Sequence, residues 1–316
     1  MWFLLALSSA VLLGFYDVFK KQSLRGNAVI PVLFLNTLIS TLLFAPLIAA
    51  SARGSIDCGS HWYVPLSGWE AHRWVVLKAV IVLSSWVCGY FAIKHLPLTI
   101  VGPVNATRPV MTLVGALLIF GEQLNPWQWA GVLVAILAFF LLSRSGKKEG
   151  IDFVHDRWIL LLILAAVFGA VSGLYDKFLL APCVSGGLGL RATFVQSWFN
   201  VYQMLLMAVA LGFWIRYQQS VRQTTDGAVM QRAETFEWRW TIVGISLFLC
   251  AADMCYFYAL SFDGALIAVV SMTRRSSVLV SFLFGAFLLR ERNVKSKAVD
   301  LLLVLVSLVL LCLGAR

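Results

Sequence analysis

"YFAIKHLPLTIVGPVNATR", residues 90–108, aligns without a gap on "YFYALSFDGALIAVVSMTR", residues 256–274. The match sets Tyr90 on Tyr256, Phe91 on Phe257 and Thr107-Arg108 on Thr273-Arg274. Apolar stretches resemble one another by chance, but a Thr-Arg pair inside two of them rarely does. A second correspondence lies further out: "GFYDVFKK" at 14–21 and "GLYDKFLL" at 173–180 both end an apolar run on Gly-x-Tyr-Asp. The chain therefore reads as one unit written twice, over 1–145 and 146–316. A basic linker, "SRSGKKEGIDFVHDR" at 143–157, joins the two.

What kind of unit follows from composition. Of 316 residues, 60% are hydrophobic and 13% charged, where soluble domains carry roughly 25% charge. Apolar runs of about 20 residues recur throughout, each long enough to cross about 30 Å of hydrocarbon. The reading is an all-α, multi-pass integral membrane protein whose first partner is the lipid bilayer. Ten membrane helices are expected, near 2–22, 29–50, 74–94, 98–120, 127–143, 157–179, 192–215, 240–261, 264–287 and 298–314. Five helices per unit is odd, so the second unit must enter the membrane upside down, giving two inverted five-helix repeats. The opening "MWFLLALSSAVLLG" lacks the basic start of a signal peptide and is read as a helix of the fold.

Several function classes drop out. The net charge of +10 sits in short clusters between apolar runs, which is membrane topology and not nucleic-acid binding. Six cysteines without a Cys-x-x-Cys pair and four histidines without ligand spacing give no metal site, and no cofactor is implied. No Gly-x-x-x-x-Gly-Lys loop supports a primary pump. Neither Gly-x-Ser-x-Gly nor His-Glu-x-x-His supports an enzyme.

"FGEQLNPWQWAGVLVAILAFFLL" at 120–142 resembles the signature that closes each half of EamA-type members of the drug/metabolite transporter superfamily. Its Gly, Glu and second Gly fall on Gly121, Glu122 and Gly131; Pro109, Gly14, Lys21 and Leu24 match further positions of the pattern. The second half is more divergent. There Glu291 keeps the acid, but Arg290 and Asp300 stand where glycines are expected and Leu180 where a lysine is. The resemblance implies ten helices in two inverted repeats around a central cavity with alternating access. Glu122 and Glu291, in turns, read as structural caps.

Orientation follows from Lys and Arg. Connections after the odd-numbered helices hold sixteen of the 25, against five or six on the other side, including Lys78. That bias puts both termini outside the cytoplasm, whereas the resemblance implies termini inside. The membrane expected is a bacterial inner membrane.

Charges near the bilayer centre cost at least about 2.5–3.5 kcal/mol each, so they need partners or a wet cavity. On these spans Arg108, Arg274, Arg275 and Asp253 fall near the midplane. Arg108 and Arg274, one from each repeat, are the expected substrate ligands, because guanidinium forks match carboxylate or phosphate. Thr107, Thr273, Tyr90 and Tyr256 are weaker candidates beside them. Arg275 points about 100° away on the helix and is not expected to share the cavity. The competing structural reading pairs Arg108 with Asp253. Asp253 has Val87 as its first-half counterpart and is the candidate coupling residue. Asp17 and Asp176 are candidate gates on opposite faces, against a simpler reading in which they pair with Lys20 or Lys21 and with Lys177. The function expected is secondary transport of a small anionic or zwitterionic metabolite, with proton coupling as an option. The alternative is a flippase for an anionic lipid or lipid-linked sugar. A homodimer is compatible with the sequence but not required by it.

Overall fold

A peptide group in hydrocarbon has no water to bond, so an apolar run this long must satisfy its backbone internally, as a helix. The computed structural model describes residues 1–24, 26–95, 107–144, 157–224, 236–277, 279–280 and 294–314. Among them the regular structure is helical: α1 Trp2–Leu24, α2 Val29–Ala52, α3 Trp69–His95, α4 Arg108–Ile119, α5 Pro126–Arg144, α6 Arg157–Leu180, α7 Ala192–Thr224, α8 Thr241–Ser261, α9 Ile267–Arg275 and α10 Val294–Gly314. A single 3-10 turn covers Cys183–Ser185. Six of these helices, α1, α2, α3, α6, α7 and α8, contain spans long and apolar enough to cross a membrane.

Most boundaries fall within a few residues of the sequence expectation, and two exceptions are instructive. α3 begins at Trp69, a turn earlier than the apolar run, because "WEAHR" is helix-forming although polar and carries Glu70 in its first turn. α7 runs to Thr224, nine residues past the expected end. Its tail "RYQQSVRQT" leaves the apolar pattern but keeps good helix formers such as Arg and Gln. Hydropathy marks where lipid ends; it does not mark where a helix ends. The expected spans 98–120 and 264–287 lie partly outside the described residues, as do Arg290 and Glu291.

α1 packs on α8, α3 on α6, α2 on α7 and α5 on α10. α4 lies against α6 and α9, and α9 also touches α1. Glycines allow several of these approaches. A Cβ on Gly131 would stand 2.8 Å from the Leu311 side chain, and one on Gly14 would stand 2.4 Å from Val280 Cβ. Small residues let membrane helices meet backbone to backbone.

One end of the bundle is tied by side chains that reach backbone carbonyls. Arg191 donates to the carbonyls of Cys58 and Ser60, both at 2.9 Å, and Thr193 Oγ1 donates to that of Tyr63 at 2.7 Å. At this end α4 stops on Gly121, whose φ of 59° suits a residue without Cβ. The turn brings Glu122 under the start of α9. Its carboxylate accepts from the amides of Ile267 (2.7 Å) and Ala268 (3.2 Å) and from Lys177 Nζ (2.8 Å). Lys177 also donates to the Ala265 carbonyl. The acid expected to cap a turn thus caps a helix from the other half of the chain. At the opposite end Asn27 and the Glu237 backbone exchange two hydrogen bonds, at 2.8 and 3.0 Å.

Candidate functional site

Between these ends lies a cavity of about 250 Å³, walled by seven helices. Its charged lining comprises Lys78 of α3, Arg108 of α4, Asp176 of α6, Asp253 of α8, and Arg274 and Arg275 of α9. Hydroxyls from Tyr16, Ser85, Thr112, Ser172, Tyr256 and Ser271 complete the polar wall.

Arg108 opens α4, whose second residue is Pro109; proline suits a helix's first turn, where its missing amide is no loss. The side chain crosses to α6 and α3. Its Nη2 donates to the Ala165 carbonyl at 2.7 Å and to Ser85 Oγ at 3.1 Å, while Ser85 Oγ donates to the same carbonyl at 2.8 Å. Gly169 leaves room for the guanidinium: a Cβ there would lie 2.7 Å from Cζ. Among the described residues no carboxylate pairs with Arg108, and its buried Nε has no acceptor. Arg275 is within electrostatic reach of it. A half-buried cation held by neutral acceptors, beside a second cation, has the chemistry to take an anion.

The other cations are matched to carboxylates. Arg274 pairs with Asp253 and lies over the Tyr256 ring, 4.2 Å from its centroid. Arg275 is within electrostatic reach of Asp17. Lys78 pairs with Asp176, and its ammonium lies 4.4 Å and 4.6 Å from the ring centroids of Phe199 and Phe257. Among the described residues four cations and two carboxylates line the cavity. Counting Asp17 beside Arg275, the surplus is one positive charge.

Set against the sequence, the cavity collects Arg108, Arg274, Tyr256, Asp253 and Asp176. It leaves out Thr107, which is exposed at the start of α4, and Thr273, which is fully buried with an unpartnered Oγ1. Asp17 does not line it either, although Tyr16 does. Tyr90 lies on α3, but its side chain is outside the described residues. The structure departs from both competing structural pairings and from the expected placement of Arg275. Asp253 binds Arg274, not Arg108. Asp176 binds Lys78, not Lys177, since neighbours in sequence diverge on a helix. Arg275 does share the cavity: α9 ends there, capped at Ser276, and a long side chain overcomes a 100° offset.

Lys78 is the residue that sequence reasoning misplaced. Counted with surface charges because it stands four residues into the apolar run, it is 2% exposed. The available signal was its flank: "WVVLKAVIVL" offers no polar neighbour to draw a lysine outward.

Residues 1–144 match the EamA-like transporter family. An uncharacterized transporter of Pseudomonas aeruginosa is 31% identical over 116 residues, which is 37% of this chain and 37% of that protein. The ArnE subunit of a probable 4-amino-4-deoxy-L-arabinose-phosphoundecaprenol flippase, from Aeromonas salmonicida, is 28% identical over 81 residues, 25% of this chain and 71% of its own. The chain thus spans little more than a third of the first relative's length. One crystal structure aligns with 100% of this chain and 98% of its own at a TM-score of 0.69 and 16% identity, a likeness of fold alone.

Proposed function

We propose that this chain, which belongs through residues 1–144 to the EamA-like transporter family, is a secondary transporter of a small metabolite with at least one anionic group. The observation that carries the reading is Arg108: a cation lining the central cavity, bonded to neutral oxygens and without a carboxylate among the described residues. An anion placed there completes its fork and relieves its repulsion with Arg275. Arg274 joins when Asp253 takes a proton and releases it, which makes Asp253 a coupling residue. Tyr256, stacked under Arg274, positions it; Thr107, Thr273 and Tyr90 have at most a supporting role. Asp17 and Asp176 act as gates through Arg275 and Lys78.

Alternating access would use the two units, 1–145 and 146–316, as inverted repeats. The helix packing supports this. Exchanging each helix for the one five places away turns α1 on α8 into α6 on α3, and α1 on α9 into α6 on α4. The pairs α2 on α7, α4 on α9 and α5 on α10 each map onto themselves.

A second reading is a flippase for an anionic lipid or lipid-linked sugar. It is favoured by the Aeromonas salmonicida relative, named a probable flippase subunit for such a compound. Both readings share Arg108. Purified protein screened by thermal shift against soluble anionic metabolites and against short-chain anionic lipids separates them, since a ligand of the native state raises Tm. Stabilisation that disappears in a folded Arg108→Gln variant supports the assignment. A ligand that stabilises Arg108→Gln as well as the parent overturns it.

A further inference from the structure

Lys78 and Asp176 form the least solvated charge pair of the cavity, at 2% and 6% exposure. The ammonium has one carboxylate and two aromatic faces around it. Rings stabilise a cation but accept hydrogen bonds poorly, so the lysine's second and third donors are weakly used. Its environment is also one-sided with respect to the repeat. On the offset that sets residue 90 on 256, Lys78 corresponds to Gly244, and Asp176 corresponds to Asp17 on the opening motif. Gly244 instead packs against the Phe19 ring, where a Cβ would stand 2.9 Å away. One half of the molecule carries a lysine where the other half does without it.

Along α6 the two cations occupy separate stations. Gly169 holds the Arg108 guanidinium and Asp176 holds Lys78, seven residues apart, or about 10 Å at 1.5 Å per residue. The wall between them is small or hydroxylic: Ser172 and Gly173 of α6 with Thr112 of α4. This is space for a ligand with an anionic group at each end.

We propose that Lys78 is a second anion-binding residue, released to substrate when Asp176 takes up a proton, so that the transporter carries a substrate with two anionic groups together with a proton on Asp176. The inference rests on the reading of Arg108 as the first anion site. An anion cannot approach Lys78 while Asp176 is ionised beside it without setting two negative charges together in a dry site. Protonation removes that conflict. The proton comes from solvent, Lys78 remains an ammonium, and its ion pair passes from Asp176 to the substrate. The groups facing Asp176 fit the exchange. Lys78 comes from α3, Tyr256 and Asp253 from α8, and Arg274, which is held by Asp253, from α9. Tyr175, next in sequence, is turned away to donate to the Trp74 carbonyl at 3.1 Å. Tyr256 Oη interacts with Asp176 and can accept from the carboxylic acid once Lys78 has left.

The test is isothermal titration calorimetry with glutarate and butyrate, run in two buffers of different ionisation enthalpy so that proton uptake is read directly. The parent should take up about one more proton with glutarate than with butyrate, because linked binding must be reciprocal. Asp176→Asn should take up no more with glutarate than with butyrate. The paired variant Lys78→Met/Asp176→Asn removes both charges together, so no buried charge is orphaned. It should lose at least about tenfold of the preference for glutarate over butyrate. Retained preference in the paired variant, or glutarate binding by the parent with no more proton uptake than butyrate binding, overturns the inference while leaving the Arg108 reading intact. If the parent binds neither anion, or Arg108→Gln binds both as the parent does, the Arg108 reading itself fails and this inference falls with it.

Discussion

The Arg108 guanidinium rests on Gly169, so close that a Cβ on the glycine would stand 2.7 Å from Cζ and 2.9 Å from Nε. The obstructed atoms are the far end of a flexible side chain, so Gly169→Ala should cost the fold little and move Arg108 instead. A fork displaced from its acceptors loses charge-assisted bonds, each worth about 1.5–3 kcal/mol. Anion affinity should fall about tenfold or more while Tm stays near that of the parent. Ligand titration and thermal denaturation on the same sample check both halves. Unchanged affinity would mean that Arg108 works equally well elsewhere.

Glu122 and Lys177, each 7% exposed, join the α4–α5 turn to α6 and to the start of α9. Breaking such a pair by removing one partner costs about 3–5 kcal/mol, because the other charge is left buried. Glu122→Gln and Lys177→Met should each destabilise strongly, and the double variant less than their sum. A double-mutant cycle in Tm or denaturant midpoint measures the coupling. Simple additivity would show the pair to be energetically silent.

Asp253 and Arg274 predict a phenotype with a defined sign. Removing the Asp253 charge frees Arg274 for an anion, so anion binding should strengthen. In Asp253→Asn that arginine is free at every pH. Proteoliposomes carrying this variant should still exchange substrate, yet an inward proton gradient should accelerate net uptake less than in the parent. An unchanged gradient response would leave coupling to Asp176 or Asp17.

Cys58 and Cys183 are both exposed thiols, and Arg191 bonds the Cys58 carbonyl at the same end of the bundle. The Lys/Arg bias places that end outside. A membrane-impermeant maleimide should therefore label Cys58 in intact, reduced cells and label Glu237→Cys, at the opposite end, only after permeabilisation. The reverse pattern assigns the termini to the cytoplasm.

Helices were largely legible in the sequence, though not their polar ends, because an apolar run of membrane length has one way to satisfy its backbone. Arg108, Arg274, Asp253, Asp176 and Tyr256 were legible as site candidates for the related reason that charge or repeated polarity at such depth is expensive. Partners were not. The pairings of Asp253 with Arg274 and of Asp176 with Lys78 depend on which faces of α3, α6, α8 and α9 meet, and hydropathy carries no information on helix rotation. Lys78 shows the cost: one misjudged helix start, Trp74 for Trp69, moved a cavity residue to the membrane surface. Thr107 and Thr273 show the converse, since residues repeated beside two lining arginines both lie off the cavity wall.

The single surplus charge of the cavity has an electrical consequence. A carrier whose mobile centre holds one uncompensated cation moves charge through the membrane field when it turns over empty, at about 2.3 kcal/mol per 100 mV for a full crossing. Once one net negative charge has bound, the loaded centre is neutral and turns over without electrical work. Membrane voltage would then act on the return of the empty carrier and leave the substrate-bearing step alone, and a steady current would report the return stroke.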